Sequence, residues 1–207
     1  DTMNARRRIL AASLAAASLA LFGPQAFAQT PKVLKISHQF PGGSIDEGDF
    51  RDRMVRKFAA EVEKRTNGQL KFEIYPGGSL VKPVEQWGAM ANGSLDMSLY
   101  PLAYAGGRVP ELNIGLMPAL VTSYEQGLRW KDAPIGKELT RIVEEKGVKI
   151  VTWVWQAGGI ASRGKPILQP DDVKGLKFRG GSKEMEMMLK ATGSSLTNTP
   201  SSEIYTA

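Results

Sequence analysis

The apolar residues between positions 32 and 100 switch repeatedly between a two-residue and a 3.6-residue period, and that switching restricts the fold more than any single motif does. "KVLKISH" (32–38) is an apolar, strand-like run. "FRDRMVRKFAAEVEKRTNG" follows, with Phe50, Met54, Phe58 and Val62 at helical spacing and a stop at Asn67-Gly68. "QLKFEIYPGG" then alternates Leu70, Phe72 and Ile74 with polar neighbours before a Pro-Gly-Gly turn. "PVEQWGAMANG" predicts a short helix, and "LDMSLYP" alternates again. Strand, helix, strand, helix, strand is the order of an α/β fold with a mostly parallel sheet and helices on its faces. Such sheets bind ligands beyond the carboxyl ends of their strands, which fall here near residues 38–40, 75–78 and 100–104.

A further helix carries Ile135, Leu139, Ile142 and Val143 and stops at Gly147. The β-branched "VKIVTWVW" after it predicts a strand crossing out of the first unit. In "DDVKGLKFRGG" (171–181), Leu176 and Phe178 share one face of a strand while Lys177 and Arg179 share the other. Gly180 and Gly181 leave the backbone open, and the residues from Ser182 to Thr192 predict a helix. Arg179 therefore lies within a few residues of free helix N–H groups, which is the layout of an anion site. The last residues, "SSEIYTA", read as the first turn of a helix capped by Ser201 or Ser202, so the domain is expected to continue.

The N-terminus predicts export. Arg6, Arg7 and Arg8 precede an apolar Ala/Leu-rich stretch from Ile9 to Phe22, a Gly-Pro break and "AFA" at 26–28. That run is too short for a membrane span and ends in a small-x-small cleavage site, so residues 1–28 read as a signal peptide cleaved near Ala28. Sec and twin-arginine routes both remain open. Cleavage lowers the formal charge from +6 to +4, and the basic residues are interleaved with acids, which speaks against a nucleic-acid partner. The chain has no cysteine and one histidine. Disulfides, thiolate chemistry, a lipid-modified cysteine and a multi-histidine metal site are thereby excluded; no metal or cofactor is expected.

The segments "LKISHQFP", "FAAEVEKRTNGQLKFEIYPGGSL", "MANGSLDMSLYPLAYAGGRVPELNIGLMPAL", "PIGKEL" and "DVKGLKFRG" occur in the order and spacing of a known family. The chain resembles the DctP-like solute-binding proteins of tripartite ATP-independent periplasmic (TRAP) transporters. The resemblance implies a two-lobed periplasmic binding protein of type II-like α/β fold, with parallel-core sheets and a hinge, closing over an organic acid. It places a first lobe at 29–151 and a hinge crossing with the start of a second lobe at 152–207. It also implies more chain beyond Ala207, so the second lobe is expected to be C-terminally truncated here.

The arginine ending the family's "GLKxR" strand matches Arg179, and the resemblance implies that it binds the substrate carboxylate through both guanidinium nitrogens. Sialic-acid binders carry a second arginine before "KPI", where this sequence has Gly158 and Gly159. Arg163 lies nearby without aligning, and reads either as a ligand contact or as a solvated loop residue. His38 reads as a cleft residue or as a structural one. Glu85 matches an acidic position of the family or is an exposed helix residue. Tyr100 and Tyr104 suit either a ligand cover or core packing. Trp153 and Trp155 share a face of the expected crossing strand and line the cleft or pack the hinge.

Two function classes follow. One is a monomeric extracytoplasmic binding protein in the periplasm, delivering a small organic acid to the membrane permease subunits of a TRAP transporter. The other is an exported α/β enzyme, such as a hydrolase acting on a small carboxylate-containing substrate. The enzyme is disfavoured because the sequence has neither a G-x-S-x-G elbow nor a Ser/His/Asp arrangement.

Overall fold

The structure, a computed structural model, describes residues 30–197 and 199–206. The expected signal peptide and its cleavage site lie outside the described residues. From Lys32 onward the described chain forms one compact unit carrying two separate parallel sheets.

Strand β1 (Lys32–His38) is central in the first sheet, between β2 (Leu70–Tyr75) and β3 (Met97–Leu99). Both pairings are parallel: Ile36 stands opposite Ile74 on one side and Met97 on the other. Central position explains the burial of β1. Its first residues are exposed, while Ile36, Ser37 and His38 are buried where both neighbours flank them.

Helix α1 (Phe50–Arg65) connects β1 to β2. Asp49 caps it by accepting the Arg51 N–H, and Asn67 and Gly68 end it with positive φ angles of 50° and 74°. Its inner stripe differs from the expected one. Asp52, Val55 and Ala59 are buried, whereas Phe50 is exposed under the Arg51 guanidinium. The Gly43 N–H in the turn beyond β1 donates to the Asp52 carboxylate, and the buried stripe is rotated by about one residue relative to the apolar count.

Helix α2 (Gln86–Ala91) follows a 3-10 turn at Pro83–Glu85 and leads into β3. Beyond β3 the chain turns through two 3-10 segments, Leu102–Ala105 and Pro110–Leu116, before α3 (Tyr124–Arg129) and α4 (Pro134–Glu145). The main core forms here, with Trp87, Val109, Leu112, Trp130, Leu139 and Val143 packed together. Each such apolar side chain contributes roughly 1.5–3 kcal/mol by leaving water.

The strand expected from "VKIVTWVW" is not formed. β-branched composition favours a pleated surface only where a neighbour completes the hydrogen-bond ladder, and among the described residues no strand pairs with this segment. The second sheet contains β4 (Lys177–Arg179) and β5 (Ser195–Thr197), parallel, with Arg179 opposite Thr197. Helix α5 (Lys183–Ala191) connects them and buries Leu189, while Met187 and Met188 stay exposed.

Candidate functional site

Strand β4 ends at Arg179, and the chain turns through Gly180 and Gly181 into the N-cap Ser182 of α5. Ser182 Oγ accepts the Met185 N–H at 3.2 Å, so the cap satisfies one of the first-turn donors. Gly180 is needed for space, whereas Gly181 would tolerate a Cβ at ordinary contact distance. A Cβ on Gly180 would collide with the Glu186 side chain, and one on Gly181 would lie 3.4 Å from Arg179 Nη1.

Arg179 is half-buried on the wall of a cavity of about 600 Å³, shared with Tyr104, Asn113, Gly181, Ser182 and Thr199. Its Nε donates to the Thr199 carbonyl at 2.8 Å and its Nη2 to the Tyr104 hydroxyl at 2.7 Å. Both acceptors are neutral. Among the described residues no carboxylate forms an ion pair with Arg179, and of the five N–H donors of a guanidinium three remain for another partner.

Acidic side chains border the same cavity at the start of α5. Burial raises the Glu186 carboxyl above its usual range, Arg179 opposes that shift and Glu184 adds to it. The cavity hydroxyls of Ser182 and Thr199 have no histidine beside them, because the chain's one histidine is turned into the core.

Residues 44–207 match the family model of the bacterial extracellular solute-binding proteins, family 7. The chain belongs to that family. A solute-binding protein of Albidiferax ferrireducens is 64% identical over 182 residues, covering 88% of this chain and 54% of that protein. The C4-dicarboxylate-binding periplasmic protein DctP of Rhodobacter capsulatus is 31% identical, covering 97% of this chain and 60% of that protein. Among solved structures, a TRAP periplasmic solute binding protein from Rhodoferax ferrireducens with bound malonate superposes with a TM-score of 0.82 at 64% identity, covering 84% of this chain and 55% of that one. One from Sulfurospirillum deleyianum with bound succinate gives a TM-score of 0.72 at 27% identity, covering 84% of this chain and 56% of that one. The chain thus has the α/β fold of the TRAP periplasmic binding proteins, and it spans about half the length of these relatives.

Set on this family 7 framework, the residues singled out from the sequence separate widely. Arg179 and Tyr104 meet at the cavity. Tyr100 stands behind Tyr104, ring edge to face at 6.1 Å, and packs on Trp87. Its hydroxyl is buried without a hydrogen-bond partner, and that burial raises its pKa strongly. His38 does not face the cavity. Its side chain is fully buried and its Nε2 lies 3.1 Å from Asp52 Oδ1, because the residue falls on the face of β1 that α1 covers.

Glu85 sits in an exposed turn beside a separate surface concavity with Lys82 and Arg108. Trp153 and Trp155 stack on each other and pack edge-on against Trp130 in the core. Trp155 lies so close to Gly127 that a Cβ there would come within 2.8 Å of its ring. Gly158 and Arg163 belong to an exposed stretch outside the cavity lining.

Sequence reading missed the Thr199 carbonyl, Asn113 and the Ser201 N–H. The first and last are backbone groups, which any residue type supplies. Asn113 carries a signal only with hindsight of its neighbour, since Gly106 is the residue whose missing Cβ makes room for it.

Proposed function

We propose that this chain is the first lobe and the beginning of the second lobe of an extracytoplasmic solute-binding protein, with the division near 151–152. The whole protein captures a small organic acid in the periplasm and delivers it to the membrane permease of a TRAP transporter. It acts by binding and closure, without covalent chemistry. Export by a signal peptide ending near Ala28 fits the family's extracellular setting.

The observation that carries this reading is the guanidinium of Arg179. It is oriented by two neutral acceptors and left with three donors beside a cavity of about 600 Å³. A carboxylate supplies both the missing charge and the matching two-oxygen geometry, and arginine stays ionised through the physiological range. A short organic acid such as malonate or succinate fits the cavity's size, with one carboxylate on Arg179 and its other end toward the polar side of Asn113.

The test is a thermal-shift panel of organic acids on the full-length mature protein, followed by titration calorimetry of each hit. A ligand that binds only the folded form raises the melting temperature. Upward shifts for carboxylates, with none for their amides, support the proposal. A panel without any carboxylate-dependent shift overturns it. Intact-mass measurement on a periplasmic extract checks export, and a mass retaining residues 3–28 refutes the cleavage.

A further inference from the structure

The Tyr104 hydroxyl joins three segments that are far apart in sequence. Arg179 Nη2 lies 2.7 Å from it, the Ser201 backbone N 3.0 Å and Gln39 Oε1 3.2 Å. The proton directions are forced. A guanidinium and a backbone N–H only donate, so the phenol oxygen accepts from both, and its own proton goes to Gln39. The Gln39 atom at this junction is the amide oxygen, because it also receives the Ser201 N–H at 3.2 Å. A phenol has one proton and two lone pairs, and all three are engaged.

A ligand therefore cannot hydrogen-bond to Tyr104 without displacing one of these partners. The same bonds act on the arginine. Nε is held by the Thr199 carbonyl and Nη2 by the phenol, and two fixed points in a planar group set its direction. Gln39 is only 4% exposed and directly follows the central strand of the three-stranded sheet, so the phenol is anchored to a buried residue at the end of that strand.

We infer that Tyr104 is a positioning residue that aims the free donors of Arg179 at the ligand, with Gln39 as its anchor, and that it makes no hydrogen bond to the ligand itself. The inference rests on the reading of Arg179 as the carboxylate anchor. It assigns the two aromatic candidates of this region distinct roles: Tyr104 sets a direction, and Tyr100 supports its ring.

The experiment uses the full-length protein with malonate as the probe. Tyr104→Phe removes the hydroxyl and keeps the ring. Calorimetry is expected to show malonate affinity reduced about tenfold or more, since the lost bond is to a charged group, with the melting temperature nearly unchanged. In an Arg179→Lys background the same substitution should change affinity less than about twofold, because there is no fork left to aim. In ligand-free protein, hydrogen exchange at the Ser201 amide and at Arg179 Nε should accelerate in Tyr104→Phe.

Gln39→Met keeps the phenol but removes its acceptor. It should give the same pattern with a smaller loss, and it answers the question independently if Tyr104→Phe is unstable. Wild-type affinity in Tyr104→Phe, or an equal loss in both arginine backgrounds, overturns the positioning role while leaving the carboxylate reading intact. If the wild-type protein binds neither malonate nor any other carboxylate, the carboxylate reading fails instead. The exchange rates then decide alone, and unchanged protection at Ser201 and Arg179 removes the inference.

Discussion

His38 and Arg179 occupy equivalent places, each the last residue of a strand in a parallel sheet, yet their surroundings answer their charges in opposite ways. His38 is fully buried, and its partner Asp52 accepts from the imidazole at 3.1 Å, from the Gly43 N–H at 2.9 Å and from Arg56 Nε at 2.7 Å. The carboxylate there is answered inside the protein, by three donors, while the buried His38 Nδ1 has no hydrogen-bond partner among the described residues. Arg179 is half-buried, touches only neutral acceptors and faces a cavity. A strand end is thus a place where a site can be built. What marks the site is a charge that makes no ion-pair contact among the described residues, although Glu184 and Glu186 border the same cavity.

Removing Asp52 should give the largest effect and should be seen in stability. Asp52→Ala leaves three donors without their acceptor, one of them, the His38 imidazole, in the interior, and breaking such a cluster around a buried carboxylate from one side costs roughly 3–5 kcal/mol. That lowers the melting temperature by roughly 4 °C or more, measurable by thermal denaturation of the full-length protein. Malonate affinity, measured where the variant is still folded, should stay within about threefold because the two clusters share no partner. A variant with normal melting and weakened binding would abolish the contrast between the two strand ends.

Changing Arg179 should have the reverse signature. Arg179→Ala leaves a ligand carboxylate poorly compensated in the closed site, costing roughly 2–5 kcal/mol, or about 30-fold or more in affinity. Arg179→Lys keeps the charge without the planar fork and should also lose much of the binding. Melting temperatures of the ligand-free variants should hardly move. Calorimetry that returned wild-type affinity for a folded Arg179→Ala protein would leave this arginine without a functional account.

The two strand ends also differ in how much of them could be read from the chain. The Arg179 site is local: strand alternation, two glycines and a Ser N-cap follow one another within seven residues, so the sequence exposes nearly all of its backbone logic. The His38 site depends on Asp52, fourteen residues away, which occupies an inner position on a helix where apolar counting places none. The Tyr104 junction is harder still, since its partners lie 65, 75 and 97 residues away and one of them is a backbone N–H. The failure at "VKIVTWVW" has the same origin. Composition states which surface a segment suits, while strand formation depends on which edge another segment offers.

Acidification should reveal the His38 side of the comparison by itself. Burial lowers the imidazole pKa below its ordinary value; Asp52 opposes that shift, Arg56 adds to it and Asp49 opposes it weakly. The unfolded chain then binds a proton near pH 6.5 that the folded chain refuses. Stability from this group is complete above about pH 6.5 and declines as pH falls toward the lowered folded value, by at most about 1.4 kcal/mol per pH unit. Melting temperature recorded from pH 7.5 to 5.5, above the carboxylate range, should decrease in the wild type and become flatter in His38→Gln. An identical slope in the variant would assign the titration to another group.

The smallest effect is expected from the other arginine that the sequence brings forward. Arg163 carries the same charge as Arg179, but it lies in an exposed stretch, outside the cavity lining, and among the described residues no hydrogen bond or ion pair fixes it. A solvated, unfixed guanidinium attracts an anion only through screened charge, and it gives up side-chain entropy when it engages. Arg163→Ala should therefore change malonate affinity less than about twofold, and what little it changes should vanish as salt is raised. The decisive measurement is calorimetry of Arg163→Ala and Arg179→Ala side by side at low and high ionic strength. A salt-resistant loss in Arg163→Ala would mean that the loop folds over the ligand in the full-length protein. Charge fixed by neighbours would then no longer separate binding arginines from solvated ones.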